Sequence, residues 1–295
     1  MRVFLTGASG FIGSRILPEL LAHGHDVIGM TRSDAGAKLV AAAGATPFLA
    51  SLEDPASVAA GAEEADAVIH TAFDHDFTKF AQNCEKDRRA ILALGAALKG
   101  SHRPLMVTSG TGMGDPGDGG PATEAHFNAQ NPNPRVLSEL AVEQLLDDGV
   151  NVRVMRLPQV HDTTRQGLVS PYIQISVQTG SVAYTGPGLN RWPAAHVQDV
   201  AALFACAFDK GDPGTRYHAV AEDGITIRQI AETLGAKLKL PAVSIPMEQL
   251  ETHLGWLAPF AGLDMPASSE WTRAQLNWNP NGPDLITDLH NLDIT

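Results

Sequence analysis

The first strand and the turn after it constrain the fold of this chain more than any other stretch. Apolar residues 3–5 precede three glycines in the spacing G-x-x-G-x-x-G, at Gly7, Gly10 and Gly13, and a helical run follows. In such a unit the first glycine allows a sharp turn, the second lets the backbone approach a pyrophosphate, and the third lets the helix pack closely on its strand. Free backbone N–H groups at the helix N-terminus favour bound phosphate. The motif therefore predicts a dinucleotide-binding turn, because it stands between an apolar strand and a helix.

Composition excludes several classes of protein. The net charge is −12, with 33 acidic against 21 basic residues, so the chain lacks the positive excess that neutralises nucleic-acid phosphates. The two cysteines, Cys84 and Cys206, lie far apart and belong to no C-x-x-C pattern, which argues against a disulfide framework and a metal site. The sequence contains no run of eighteen apolar residues and no charged-then-apolar leader. We therefore expect a cytoplasmic protein with no nucleic-acid partner, no membrane span and no bound metal.

Apolar stretches and helical periodicity alternate along the first half of the chain. The expected strands after the first are 26–31, 46–49, 67–72, 105–109 and 152–156, and the expected helices between them are 14–23, 35–43, 55–61, 77–99 and 136–147. Strands separated by helices form a parallel sheet with helices on both faces. Because such sheets bind ligands at the carboxyl ends of their strands, residues 71–76 and 108–112 are expected to line a crevice.

The end of the second strand bears on the choice of cofactor. A dinucleotide fold that selects NAD usually carries an acidic residue here, about twenty residues past the glycines, to bind the ribose hydroxyls. This chain has Arg32 and Ser33 instead. Arginine can bind a 2′-phosphate through two N–H groups, and the serine can add a hydroxyl. The sequence therefore favours NADP(H) over NAD(H), although Asp34 keeps NAD(H) open.

Five segments, in the same order along the chain, resemble the extended short-chain dehydrogenases/reductases of the NAD-dependent epimerase/dehydratase type. They are 6–13 (TGASGFIG), 68–72 (VIHTA), 156–161 (RLPQVH), 195–201 (AHVQDVA) and 272–280 (TRAQLNWNP). The resemblance implies an α/β fold with a Rossmann-type doubly wound parallel sheet in residues 1–156, to which 191–220 return. It also implies a smaller, discontinuous C-terminal substrate lobe in 157–190 and 221–295, and a possible homodimer.

The glycine motif and the resemblance together predict which residues bind the cofactor. They are Gly7, Ser9, Gly10, Phe11, Ile12, Gly13, Arg32, Ser33, Ser51, Leu52, Thr71, Ala72, Phe73, Thr108, Glu139, Pro158 and Val160.

The chain departs from the resembled family at its catalytic motif. Members usually carry Tyr-x-x-x-Lys, in which the tyrosine exchanges the proton and the lysine lowers its pKa. The tyrosines here are Tyr172, Tyr184 and Tyr217, and none is followed four residues later by lysine. The family's register places Arg135 at the tyrosine position and Glu139 at the lysine position. Arginine cannot donate a proton near neutral pH, whereas Glu139 could still accept hydrogen bonds from ribose hydroxyls.

Other residues must therefore handle a reacting carbonyl, if the protein is an enzyme. The candidates are Ser109, Thr111, Arg135 and His161. Ser109 or Thr111 could hold the carbonyl or only the loop backbone, and Arg135 could stabilise an oxyanion, bind a carboxylate or pair with Glu139 four residues on. His161 could supply a proton. Residues 74–76 (Asp-His-Asp) offer another histidine, although an aspartate at a helix start is more often a cap.

These observations predict an NAD(P)-dependent oxidoreductase, and NADPH-dependent reduction of a small carbonyl compound is the favoured reaction. One alternative is an epimerase or dehydratase of the nucleotide-sugar type, which the missing tyrosine disfavours. Another is a cofactor-binding sensor or scaffold without turnover, which the missing tyrosine and lysine favour.

Overall fold

Seven parallel strands form the central sheet of the computed structural model, which describes residues 1–293. In chain order the strands are β1 (Arg2–Thr6), β2 (Asp26–Thr31), β3 (Thr46–Leu49), β4 (Ala67–His70), β5 (Leu105–Gly110), β6 (Val152–Leu157), β7 (Gln159–His161), β8 (Val182–Thr185), β9 (Arg191–His196), β10 (Arg216–His218), β11 (Glu222–Thr226) and β12 (Ala242–Ile245). The central sheet has the order β3-β2-β1-β4-β5-β6-β10. The strand order reverses between β1 and β4, the point at which such sheets bind ligands. The predicted doubly wound parallel sheet is thus confirmed.

The helices cover both faces of this sheet. They are α1 (Gly13–Ala22), α2 (Asp34–Ala42), α3 (Pro55–Glu63), α4 (Phe80–Leu98), α5 (Val136–Asp147), α6 (Val169–Thr179), α7 (Val197–Lys210), α8 (Ile227–Leu238), α9 (Leu250–Leu254), α10 (Ala258–Ala261), α11 (Glu270–Leu276) and α12 (Leu285–His290). Within the described residues, none of them is both long enough and apolar enough to cross a membrane.

Two apolar clusters hold the helices on the sheet. On one face Leu17 of α1 and Phe204 of α7 pack with β1, and on the other Leu94 of α4 and Leu145 of α5 pack with β4 and β5. Strands buried on both faces explain why β1, β4 and β5 are continuous apolar runs rather than alternating ones. Burial of each such side chain contributes about 1.5–3 kcal/mol to the stability of the fold. This packing fixes the positions of the strand ends, which carry polar groups.

A third apolar cluster is formed by side chains from several segments of the second half of the chain. It joins Tyr172 of α6, Trp192 of β9, Leu234 of α8 and Leu257. Two small sheets belong to this region, one with the order β11-β9-β7 and one that pairs β8 with β12. The region covers the carboxyl edge of the central sheet.

The segment after β4 differs from its predicted structure in a way that shapes the site. The sequence predicts a strand to residue 72 and a helix from 77, but β4 ends at His70 and a 3₁₀ turn at Phe77–Lys79 precedes α4. The backbone N–H groups of Thr71 and Ala72 donate to the Thr6 hydroxyl at 3.1 Å rather than continuing the sheet. The chain is thereby turned across the end of β1.

Candidate functional site

A cavity of about 920 Å³ lies at the carboxyl ends of the central strands. It is lined by most of the residues expected to bind a cofactor: Gly7, Ser9, Gly10, Phe11, Ile12, Gly13, Arg32, Ser51, Leu52, Thr71, Ala72, Phe73, Thr108, Pro158 and Val160. Ser109 and Arg135, from the catalytic set, line the same cavity. The topology therefore brings these two sets of residues to one place.

The glycine turn forms a cradle that side chains would fill. Gly7 has φ +70°, and a Cβ there would lie 3.0 Å from the backbone of Ala72. A Cβ on Gly13 would lie 2.2 Å from the carbonyl oxygen of Gly7, closer than non-bonded atoms can approach. Gly10 donates its N–H to that same carbonyl at 2.8 Å, which closes the turn before α1 begins at Gly13. A tight turn opening onto a helix N-terminus fits a pyrophosphate.

Arg32 stands at the end of β2, beside this cradle. It lines the cavity, its side chain is exposed, and it forms no ion pair with any residue in 1–293. Ser33, its neighbour, does not line the cavity, because its hydroxyl caps α2 by accepting the Gly36 N–H at 3.2 Å. The structure therefore keeps Arg32 available to a ligand and gives Ser33 a structural role.

A three-residue ion-pair group at the same end of the cavity was not expected from the sequence. Lys86 of α4 donates to Asp74 at 2.9 Å and also pairs with Glu53, and all three side chains line the cavity. The hydrogen bonds that Lys86 donates to Glu53 and, to a smaller extent, Asp74 raise the pKa of Lys86, and its hydrogen bond to Asp74 lowers the pKa of that carboxyl. The three charges pair with one another, so Lys86 is engaged within the protein, whereas Arg32 is not.

Arg135 is fixed in the cavity wall by two hydrogen bonds and a ring. Its Nη1 donates to Asp87 at 2.7 Å, and its Nη2 donates to the Thr108 carbonyl oxygen at 2.8 Å. The guanidinium carbon lies 4.2 Å from the centre of the Phe73 ring. The other side-chain N–H groups of Arg135 make no hydrogen bond to residues 1–293. Arg135 is therefore a rigid cation with donors to spare, and it does not pair with Glu139 as one alternative expected.

The partner of Arg135 belongs to a buried polar chain that reaches the first strand. Asp87 is fully buried and accepts from Ser138 at 2.7 Å, in addition to Arg135. Its other oxygen lies 3.1 Å from Nε2 of His70, whose Nδ1 lies 2.8 Å from the Thr6 hydroxyl. Burial alone would raise the pKa of Asp87, but the charge of Arg135 and the His70 and Ser138 bonds outweigh it, so the pKa lies below its ordinary value. Asp87 is thus the ionised anchor of Arg135.

Glu139 does not reach the cavity. Its carboxylate is completely buried, is bound by Arg156 through two hydrogen bonds of 2.8 Å, and accepts a third from Arg216 at 2.9 Å. Burial alone would raise its pKa, but these arginines lower the pKa below its ordinary value. His218 lies against Arg156 at 3.2 Å, and burial and this charge lower its pKa to about 3. The structure therefore gives Glu139 a role in the core and does not bring it to a ribose.

The remaining catalytic candidates, Ser109, Thr111 and His161, differ in their position relative to the cavity. Ser109 is buried at the cavity wall, close to Glu139, and its hydroxyl makes no hydrogen bond of ordinary geometry with residues 1–293. Thr111 is buried in the 3₁₀ turn after β5 and does not line the cavity. His161 is buried away from the cavity, with Nδ1 at 2.7 Å from Asp288 of α12. Of these three, the structure brings only Ser109 to the site.

His75 is a titratable residue of the cavity that the sequence analysis did not include among its catalytic candidates. Its ring lines the cavity and lies 5.4 Å from the ring of Phe73, against which Arg135 also packs. His75 is an exposed residue of the cavity, and partial desolvation by the surrounding protein, followed by the positive charge of Arg135, lowers the pKa of its ring. Asp76, beside it, does cap the following turn, accepting from Thr78 at 3.2 Å. The capping interpretation is therefore right for Asp76, while the neighbouring histidine faces the cavity.

Several other lining residues come from the second half of the chain, from the 3₁₀ turn before α4 and from the first residue of α4. They are Phe77, Phe80, Gln159, Thr164, Arg165, Gly167, Leu168, Ser170, Gln174 and Phe260. Their positions depend on how the lobe around α6 and α10 packs over the strand ends. Local sequence carries little signal for that packing, apart from the concentration of aromatic residues after β4.

Comparisons with known proteins place this geometry in context. A family model described as the NAD dependent epimerase/dehydratase family matches residues 3–220. The uncharacterized protein C2A9.02 of Schizosaccharomyces pombe is 42% identical over 290 residues, which cover 98% of each chain. The 4-hydroxy-2-methyl-3-oxo-4-farnesyl-3,4-dihydroquinoline-1-oxide ketoreductase of Stigmatella aurantiaca is 24% identical over 276 residues, 86% of this chain and 80% of its own.

A solved structure shares the whole architecture. DesIV, a dTDP-glucose 4,6-dehydratase from Streptomyces venezuelae crystallised with NAD and TYD bound, matches with a TM-score of 0.77 over 99% of this chain and 95% of its own. The two sequences are 18% identical, so this likeness shows a common fold.

Proposed function

The chain belongs to the NAD-dependent epimerase/dehydratase family, and we propose that it is an oxidoreductase that uses NADPH to reduce a small carbonyl compound. The observation that carries the proposal is the continuity of one cavity. It runs from the glycine cradle, which fits a pyrophosphate, to a fixed arginine with unused N–H donors and a histidine at its side. A named reductase and a named dehydratase are both similar to this chain. The absence of the family's tyrosine favours reduction over transient oxidation of a sugar.

Three side chains that line the cavity have a defined task in this reaction. When bound, the reduced nicotinamide supplies a hydride to the carbonyl carbon. Arg135 binds the carbonyl oxygen and stabilises the negative charge that develops there, since its guanidinium is already held by Asp87 and Thr108. Protonated His75 gives its proton to that oxygen, so that an alcohol and the oxidised cofactor leave. The Ser109 hydroxyl, at the cavity wall close to Glu139, offers a further hydrogen bond to the substrate.

The proposal is tested by a titration followed by a turnover assay. NADPH and NADH are titrated against the protein by fluorescence, and a panel of aldehydes and ketones is then added to the NADPH complex. Tight binding with NADPH consumption supports the oxidoreductase. Tight binding without turnover over a broad panel would favour a sensor instead, and absence of binding would exclude the cradle as a cofactor site.

Arg32→Asp is expected to reverse the cofactor preference. The substitution removes an unpaired cation that lines the same cavity as the cradle and places a carboxylate where ribose hydroxyls would bind. We expect the ratio of NADPH to NADH affinity to fall roughly tenfold to a hundredfold, the range for losing charge-assisted hydrogen bonds to a phosphate. Titrations of both cofactors measure it. Lys38→Asp is the matched control, because it makes the same charge change on an exposed face of α2 outside the cavity. An unchanged ratio in Arg32→Asp would disprove the role of Arg32.

His75→Gln is expected to lower kcat/KM for reduction about a hundredfold and to remove its pH dependence. A proton donor must be protonated, so the wild-type rate falls as pH rises through the pKa of His75. That pKa lies below the ordinary histidine value of 6.5, because desolvation and Arg135 disfavour the charged ring. The pH profile of kcat/KM for both proteins measures it, with exposed His102→Gln as the control. If the rate of His75→Gln still falls as pH rises through this range, another group donates the proton.

A further inference from the structure

One side of the cavity is built from phenylalanine rings contributed by two distant segments. Phe73, Phe77 and Phe80 come from the chain after β4, and Phe260 comes from α10; all four line the cavity. Phe260 lies 6.3 Å from Phe77 and 5.9 Å from Phe80, with ring planes close to perpendicular in both pairs. We call these four residues the phenylalanine wall.

The wall is held in place from behind. The ring of Trp256 stacks on Phe77 at 4.6 Å with an angle of 2° between the planes, outside the cavity lining. Phe77 also lies 5.4 Å from Phe80, and Phe80 lies 6.3 Å from Phe73. Stacked and edge-to-face ring pairs at these distances are favourable geometries, so the wall is preformed.

The polar groups of the site adjoin one end of this wall. Arg135 lies over Phe73 at 4.2 Å, and His75 lies 5.4 Å from Phe73 and 6.1 Å from Phe77. A carbonyl oxygen held by Arg135 and His75 therefore places the substituents on its carbon next to phenylalanine rings. The part of the substrate beside the carbonyl must tolerate an apolar, aromatic surface.

The physical chemistry of such a surface selects its ligand. A sugar hydroxyl that loses water against phenylalanine gains no hydrogen bond in return, which opposes binding. A planar ring buries apolar area and adds favourable edge or face contacts with the preformed rings. A saturated ring of the same size buries similar area but presents no π-system and does not lie flat.

We propose that the substrate is an aryl carbonyl compound, with its ring bound against the phenylalanine wall and its oxygen held by Arg135. The assignment rests on the proposed carbonyl reduction and specifies its substrate class. It distinguishes this site from one that holds the polar sugar of a nucleotide sugar.

The test compares two ketones with the same carbon skeleton. The rates of NADPH consumption are measured with 2-acetylnaphthalene and with its decahydro analogue, which is saturated and not planar. We expect kcat/KM to be at least about tenfold higher for the aryl ketone. Phe260→Leu, which keeps an apolar side chain but removes the ring, should lower kcat/KM for the aryl ketone roughly fivefold to tenfold, mainly through KM. The substitution should lower kcat/KM for the saturated ketone by a smaller factor than for the aryl ketone. Trp271→Leu is the control, because this exposed aromatic contacts Tyr217 and lies outside the cavity.

A binding experiment separates this inference from the proposed reaction. The protein saturated with NADP⁺ is titrated with 1-(2-naphthyl)ethanol and with its decahydro analogue by calorimetry. Preference for the aryl alcohol that Phe260→Leu weakens supports the wall even if no ketone is reduced, an outcome in which the proposed reduction alone fails. Equal binding of the two alcohols, or an equal effect of Phe260→Leu on both ketones, would overturn the aryl assignment and leave carbonyl reduction standing.

Discussion

Glu139→Gln is expected to destabilise the folded protein by about 3–5 kcal/mol, the range for removing one partner of a buried ion pair. The amide keeps an acceptor oxygen, but Arg156 retains its charge in a site with no solvent exposure. Arg216 also loses its buried partner. Urea unfolding at low temperature, read by circular dichroism, measures the difference between the two proteins.

The control for this substitution lies one turn away on the same helix. Glu143 pairs with the same Arg216, but its carboxylate is about half exposed, so Glu143→Gln should cost less than about 1 kcal/mol. Because the folded-state pKa of Glu139 is lowered, its contribution is complete above the ordinary glutamate pKa and disappears as pH falls through the lowered value. The variant should therefore lose less stability on acidification than the wild type. Equal costs for the two substitutions would contradict a structural role for Glu139.

Arg135→Gln is expected to lower kcat/KM for carbonyl reduction by about 10²–10³, the usual loss when one preorganised oxyanion donor is removed. The amide can still form a hydrogen bond, but it carries no charge to balance the developing alkoxide. Cofactor affinity should change little, since the glycine cradle and Arg32 lie elsewhere in the cavity. Steady-state kinetics and an NADPH titration on the same preparation measure both quantities.

A second substitution keeps this result interpretable. Removing Arg135 leaves Asp87 ionised and fully buried with a lost partner, which destabilises the protein independently of catalysis. Adding Asp87→Asn removes that charge, so the double variant should regain stability while the catalytic loss remains. If activity returns together with stability, Arg135 is only a structural residue and the assignment to the carbonyl oxygen is wrong.

The sequence predicted the central sheet well because the signal there is local. The strands β1, β4 and β5 are buried on both faces and therefore appear as apolar runs, and α5 has the predicted bounds, 136–147. The small sheets of the second half were not predicted, because their strands are short and polar or interrupted. β9 contains a proline and two basic side chains, and its partners β7 and β11 are paired through tertiary packing.

The candidate site shows the same division between local and distant information. The glycine cradle follows from the glycine spacing between an apolar strand and a helix, whereas the ion pairs of Arg135 and Glu139 do not follow from local sequence. Their separation of four residues suggests a mutual pair on one helix face, worth about 0.2–0.5 kcal/mol when exposed. Each instead reaches a partner distant in sequence, Asp87 or Arg156, with which it forms a more strongly hydrogen-bonded pair. Sequence spacing cannot reveal which helix faces will be brought together.

The anchoring of Arg135 by Asp87 and Thr108 has a consequence for how the enzyme would respond to its surroundings. A guanidinium stays charged over the whole range in which proteins fold, so the stabilisation of negative charge is constant with pH. In the proposed reaction, delivery of the proton falls to His75, a separate side chain whose surroundings set its own titration. Stabilisation of the negative charge and delivery of the proton can therefore be changed separately by substitution. Changes around residue 75 would shift the pH optimum of the proposed reaction, while the Arg135–Asp87 pair stays the same.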